Sequence, residues 1–190
     1  MSKHAAVESA DVAVERAAKA AAAVDRLTRW TDDFPTPGVR FADLTPVFAE
    51  AEGFRAVVDC LAECAPDADL VAGVDARGFL LGAGVAATLG TGVLAVRKAG
   101  KLPPPVLSRK FELEYGTAAL EIPADGIELR GRRVLLLDDV LATGGTLAAA
   151  AELFDQAGAE VVALAVVLEL TVLEGRAKQG DYPLTSIVQA

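Results

Sequence analysis

VLLLDDVLATGGTL, residues 134–147, is the most informative stretch of this 190-residue chain. Val134 to Leu137 form a short apolar run of the kind that makes a buried parallel strand. Asp138 and Asp139 stop that run, which puts them at the carboxyl end of the strand, the edge where open α/β sheets hold their ligands. The chain then turns through Val140, Leu141, Ala142, Thr143, Gly144, Gly145 and Thr146. Small and hydroxylated residues there let backbone N–H groups converge on an anion, and a helix over Leu147–Ala157, ended by Gly158, adds its positive N-terminal end. Ionised carboxylates only accept hydrogen bonds, and sugar hydroxyls donate them, so an acidic pair beside a phosphate cup suits a ribose 5-phosphate. An ordinary βα turn also draws on Asp, Thr and Gly, but seldom needs two of each together.

Working outward, Glu160 to Leu168 is almost wholly apolar and reads as another central strand, followed by a helical piece around Val172–Lys178 and a last strand near Leu184–Val188. Upstream, Asp69–Val74, Gly92–Val96 and Ala118–Ile122 read as strands, with Gly126 and Gly131 bracketing the turn into the 134–137 strand. Helical patterns occupy about Glu8–Trp30 and Gly53–Cys64, and Asp75–Gly90 is a turn leading into a helix of small residues. Alternating strands and helices predict an α/β fold with a mainly parallel, doubly wound sheet. Gly82, Gly84 and Ala87 match G-x-G-x-x-A, but they lie inside the helical pattern instead of opening it, so close helix packing explains them better than a dinucleotide site. Asp33–Phe48 is broken by Pro35, Pro37, Gly38 and Pro46 and must be an ordered loop. Arg97–Gly116 is polar, basic and proline-rich, with no strand or helix pattern at its centre, which is the profile of a lid loop. The expected organisation is an N-terminal helical segment, 1–32, packed on one domain, 33–190.

Composition narrows the function. The formal net charge is −9, which argues against a nucleic-acid partner, and no apolar run approaches the ~20 residues of a membrane span. The first residues mix Lys3, Glu8, Asp11, Glu15, Arg16 and Lys19 among alanines, unlike a signal peptide, so a cytoplasmic location is expected. Cys60 and Cys64 share a helix face without nearby His or Cys partners and read as buried free thiols. His4 is the only histidine, which removes His-based triads and most zinc chemistry.

Five blocks, DFPTPGVRFADLTPVF, ARGFLLG, VRKAGKLP, LEYG followed by LEI, and LLLDDVLATGGTL, occur in the order found in adenine phosphoribosyltransferases, and together span about Asp33–Leu170. The chain resembles that family, which moves ribose 5-phosphate from phosphoribosyl pyrophosphate (PRPP) to adenine, giving AMP and pyrophosphate. The resemblance implies the type I phosphoribosyltransferase fold, with a parallel sheet core, a small hood and a flexible lid. It implies that Asp138 and Asp139 hold the ribose hydroxyls while Ala142, Thr143, Gly144, Gly145 and Thr146 cradle the 5-phosphate. Asp75, Ala76, Arg77 and Gly78 look like the family's pyrophosphate loop, and Arg97, Lys98 and Lys101 like the basic group that contacts pyrophosphate, sometimes across a dimer interface. Arg40 and Phe41 fall where adenine is bound, Glu114 where the base's proton is handled, and Tyr115 where a lid tyrosine stands; Glu114, Tyr115 and Arg77 are the expected catalytic residues. Mg²⁺ is expected on the pyrophosphate, carried by PRPP without direct protein ligands, and the expected assembly is a homodimer. Two positions depart from the pattern: Ala42 replaces a basic residue, and Phe111 a lid tyrosine.

Other readings stay open at this point. The same fold could act on hypoxanthine, guanine or xanthine, or serve as a PRPP-sensing regulator, although the latter would need a basic surface that a chain at −9 does not offer. An ATPase using VLLLDD as a Walker-B strand fails for want of a G-x-x-x-x-G-K-[ST] segment.

Overall fold

A computed structural model describes residues 3–113 and 116–190. The chain runs α1 (Lys3–Leu27), β1 (Arg29–Thr31), β2 (Phe41–Asp43), α2 (Thr45–Ala49), α3 (Ala51–Ala62), β3 (Leu70–Val74), α4 (Gly78–Leu89), β4 (Gly92–Lys98), β5 (Val106–Leu113), β6 (Gly116–Pro123), β7 (Arg133–Leu141), α5 (Gly145–Gln156), β8 (Glu160–Glu169) and β9 (Leu184–Gln189). Two 3₁₀ turns, Thr171–Leu173 and Gly175–Gln179, link β8 to β9.

Seven strands form one sheet in the order β5-β6-β4-β3-β7-β8-β9. β4, β3, β7, β8 and β9 are parallel, and β6 and β5 add an antiparallel hairpin at one edge. The period-2 alternation of β3 sends Val71 into one core and Leu70, Ala72 and Val74 into the other. The first core lies under α1, α3 and α4; the second is closed by Leu147, Ala150, Leu153 and Phe154 of α5. Helices therefore cover both faces, the doubly wound arrangement that the strand–helix alternation predicts. From β3 the chain crosses through α4 to β4 on one side, and from β7 through α5 to β8 on the other. The adjacent carboxyl ends of β3 and β7 thus flank a topological switch point, where crossover loops diverge and leave a crevice.

The close helix packing expected of the α4 glycines is present. A Cβ on Gly84 would lie 2.7 Å from Val58 Cγ2 of α3, and one on Gly82 3.3 Å from the Gly73 Cα of β3. Three differences from the sequence reading stand out. β7 does not stop at Asp138 but runs to Leu141, because β8 is long enough to pair Val166 with Asp138 and Leu168 with Val140. The expected loop at 97–116 contains strand β5, in register with β6 from Val106↔Pro123 to Leu113↔Gly116. Its charged residues masked the pattern: Leu107 and Phe111 pack on the second core while Ser108 and Lys110 are exposed. The Asp33–Phe48 segment is loop only in its first half: it then forms β2, which pairs with β1 as a separate two-stranded ribbon, and most of α2, whose first turn accepts Pro46 because no N–H is needed there. Cys60 and Cys64 are free and half-buried, and burial pushes the Cys60 thiol up to about 11.

Candidate active site

The end of β7 brings the acidic pair into the crevice in two different settings. Asp139 is buried, and its Oδ2 lies 2.7 Å from Arg77 Nε, an ion pair set at an angle that forms no aligned hydrogen bond. Asp138 Oδ1 accepts the Asp139 N–H at 2.8 Å. Burial raises the Asp138 carboxyl well above the usual carboxylate range, the neighbouring Asp139 charge adds to the rise, and Arg77 opposes it. One acid is thus held by a cation, and the other holds its proton more tightly than usual.

Beyond β7 the turn Ala142–Gly144 leads into α5, whose first helical residue is Gly145. Gly144, the N-cap, has φ +79°, a left-handed conformation that glycine adopts freely, and no side chain caps the helix. The N–H groups of the first turn, including those of Gly145 and Thr146, are left to an outside acceptor, and the helix dipole favours an anion there.

Across the switch point, the Asp75–Ala76 peptide bond is cis. Asp75 Oδ2 accepts from Arg97 Nε at 3.2 Å and from the Lys98 N–H at 3.4 Å, which ties this turn to the end of β4. Gly78 packs flat against β7: a Cβ there would meet Leu137 O at 2.9 Å and Asp138 Oδ1 at 3.4 Å. Gly73 is tighter still, 2.2 Å from Gly78 O by the same measure. No larger residue fits at Gly73, so this pair fixes the distance between the 75–78 turn and the acidic pair. Lys98 and Lys101 are exposed beside it.

The Arg77 guanidinium also stands 5.6 Å over the Phe41 ring, which meets Phe34 edge-on at 5.1 Å. Arg77 therefore joins the 41 block to the 139 block. Arg40 is occupied differently, 4.4 Å over the Trp30 ring and 3.7 Å from Asp32. Of the residues singled out from sequence, Phe41, Asp75, Ala76, Arg77, Gly78, Arg97, Asp138, Asp139 and the 142–146 turn meet around one crevice; Glu114 and Tyr115 lie outside the described residues. Sequence reasoning missed Gly175 and Gln179, which pack directly on the turn: a Cβ on Gly144 would fall 2.2 Å from Gly175 O. Neither residue has a motif around it. A cleft of about 440 Å³ lined by Leu107, Pro123–Arg130 and Ala157 lies before the start of β7, away from this crevice.

An uncapped helix start, a carboxylate pair and the Arg77 and Arg97 cations meet at the switch point of a parallel sheet, an arrangement with the chemistry to accept a phosphorylated sugar. Residues 50–189 match the phosphoribosyl transferase domain, and the chain belongs to that family. More particularly, it is 80% identical over 189 residues to the adenine phosphoribosyltransferase of Nocardia farcinica, a match spanning 100% of this chain and 99% of that one. It is 70% identical over 166 residues to the Rhodococcus jostii adenine phosphoribosyltransferase, spanning 87% of this chain and 94% of that one. Among solved structures, the adenine phosphoribosyltransferase of Thermoanaerobacter pseudethanolicus superposes with a TM-score of 0.84 at 42% identity, over 90% of this chain and 99% of that one. The Saccharomyces cerevisiae enzyme, complexed with an imino-altritol bisphosphate and adenine, gives 0.83 at 36% identity over 90% and 99%.

Proposed function

We propose that the protein transfers the 5-phosphoribosyl group of PRPP to adenine, releasing pyrophosphate and forming AMP, as an enzyme of purine salvage. The observation that carries this reading is the juxtaposition of the Asp138–Asp139 pair with the uncapped start of α5 at the β3/β7 switch point, in a chain 80% identical to a protein named for that activity. Asp138 and Asp139 accept from the ribose hydroxyls, and Ala142, Thr143, Gly144, Gly145 and Thr146 take the 5-phosphate. Asp75, Ala76, Arg77 and Gly78, with Arg97, Lys98 and Lys101, receive the pyrophosphate. Phe41 offers a ring face to adenine, and Arg40 its backbone.

In the reaction a ring nitrogen of adenine bonds to the anomeric carbon as the bond from that carbon to pyrophosphate oxygen breaks, and adenine gives up a proton to Glu114. Positive charge develops on the sugar as negative charge gathers on the leaving group, so cations at the 75–78 and 97–101 turns stabilise departure electrostatically. Magnesium, carried in by PRPP without direct protein ligands, would neutralise charge on the pyrophosphate. Tyr115, as the family's lid tyrosine, and the 97–116 segment exclude water from the sugar cation. The N-terminal segment is not helical to residue 32: α1 ends at Leu27 and β1 (Arg29–Thr31) pairs with β2, and we read the two together as packed on a 33–190 domain.

Incubation with PRPP, Mg²⁺ and adenine, hypoxanthine, guanine or xanthine separates this reading from its rivals. Pyrophosphate release is expected with adenine above the other bases, and its absence would sink the proposal. Glu114→Gln should lower kcat on the order of 10²-fold or more while leaving PRPP affinity near wild type. The same reading makes the protein a cytoplasmic homodimer that binds neither nucleic acid nor membrane; no helix among the described residues is long and apolar enough to cross a membrane. Leu80 and Val93, exposed apolar side chains on α4 and β4, suit contact with a second copy, and sedimentation equilibrium should report twice the monomer mass of 19.6 kDa.

A further inference from the structure

We infer that Gln179 is a positioning residue for the phosphate turn, and that the Gly175–Gln179 segment is a built-in brace for the 5-phosphate cup, anchored to the sheet by Arg176 on Glu169. This rests on the phosphoribosyl reading of the site.

Gln179 is buried at 2% exposure. Its Nε2 donates to Gly144 O at 3.0 Å and to Gly175 O at 2.9 Å, so one amide group bridges the two backbones. Gly144 O also accepts the Ala148 N–H at 3.1 Å, as the first acceptor of α5. With that carbonyl fixed on its inner side, the planar trans peptide directs the Gly145 N–H the opposite way, outward from the helix start, where the phosphate is bound. The backbones themselves are in contact: a Cβ on Gly175 would lie 2.1 Å from Ala142 O, so only glycine fits against the turn. The chain reaches this position by a left-handed bend at Glu174, φ +52°.

The arrangement has a cost that packing alone does not require. Gln179 Oε1 is buried with no hydrogen-bond partner among the described residues. An apolar side chain of the same shape would avoid that orphan, but it would leave the Gly144 and Gly175 carbonyls without the amide donor. Keeping the amide therefore favours control of the turn over the lowest-energy filling of the space.

The brace is held from behind. Arg176 makes a paired contact to Glu169 at the end of β8, Nε to Oε1 at 2.9 Å and Nη2 to Oε2 at 2.5 Å, and its Nη1 donates to Leu184 O of β9 at 2.9 Å. Ser186 Oγ and Gln189 Nε2 donate to the same Glu169 oxygen at 2.8 and 3.1 Å. The segment after the 134–147 motif thus transmits the position of β8 and β9 to the start of α5.

The test uses the full chain with ribose 5-phosphate as the binding probe, alongside steady-state kinetics. Gln179→Met keeps length and removes the donor, and Gln179→Glu keeps shape and replaces the donor with an acceptor. In both, ribose 5-phosphate binding and the KM for PRPP should weaken on the order of tenfold or more, with kcat and the KM for adenine changing much less. Arg176→Lys, which keeps the charge and gives up the paired contact, should shift the same two quantities in the same direction by a smaller factor. A residue that only stabilised the fold would lower the melting temperature without this selective shift. Wild-type affinity for ribose 5-phosphate in folded Gln179→Met and Gln179→Glu overturns the inference; should neither fold, wild-type affinity in Arg176→Lys does so. A wild-type protein that binds neither ribose 5-phosphate nor PRPP overturns the phosphoribosyl reading itself.

Discussion

Asp138 and Asp139 bring the same functional group to the same strand end and meet different fates. Asp139 is 2.7 Å from the Arg77 guanidinium, whereas burial lifts the affinity of Asp138 for its proton. A carboxyl whose folded value is raised stabilises the fold below its ordinary titration range, and that contribution is lost as pH rises through the raised value. A ribose hydroxyl donating to Asp138 favours the ionised form, so PRPP binding should release a proton and tighten as pH rises through that same window. Calorimetric titration in two buffers of different ionisation enthalpy measures the proton directly. Asp138→Asn should abolish the release and weaken binding on the order of tenfold; proton release that persists in the variant would assign it to another group. The sequence marks both acids as a sugar clamp but cannot say which keeps its proton, because that depends on Arg77, held across the crevice by the packing of Gly73 on Gly78.

Strands were legible where both faces are buried and obscure where one is wet. β3 is apolar throughout, and β8 is apolar between its terminal glutamates, so both read directly, but β5 carries Arg109 and Lys110, and only its pairing with β6 makes it a strand. β7 was read four residues short because adjacent carboxylates look like a turn; β8 supplies the missing ladder. The two 3₁₀ turns between β8 and β9 appear in the sequence as one vague helical piece, since nothing local indicates that Gly175 must touch the 142–144 backbone. Glu169 is the anchor of this region. Hydrogen bonds from Arg176 above all, then from Ser186 and Gln189, hold its carboxyl down at about 2 despite burial. A lowered folded value means stability present above the ordinary carboxylate range and lost as pH falls from about 5 towards 2. Glu169→Gln keeps the shape and removes the charge from Arg176. It should cost about 1–3 kcal/mol at pH 7 and flatten the acid limb of the stability profile. Urea unfolding across pH 3–7 measures both, and an unaltered acid limb would show that other carboxylates control it.

At the scale of the molecule, the crossovers from β3 and β7 to opposite sides of the sheet create the crevice, and two cores on opposite faces hold it open. That plan was readable from the alternation of strands and helices, whereas the role of the first helix was not, because its alanines show a helix without showing what it covers. α1 lies on the α3 side: Ala20 and Val24 are buried in the first core, Arg16 pairs with Glu63, and a Cβ on Gly53 would lie 3.1 Å from Leu27 Cδ1. None of these residues borders the crevice, so we propose that α1 stabilises the fold without entering the chemistry. Val24→Ala should lower stability by about 1–3 kcal/mol through lost burial and the cavity left behind. Removal of residues 1–27 should lower it further, because it uncovers the apolar face of α3. In both variants, kcat with adenine at 25 °C should hold at the full-length value wherever the chain remains folded. Trp30, the single tryptophan, stacks under Arg40 just beyond the cut and reports unfolding by fluorescence in urea. An unchanged urea midpoint would remove α1 from the core, and a folded truncated protein without turnover would make the helix part of the active site.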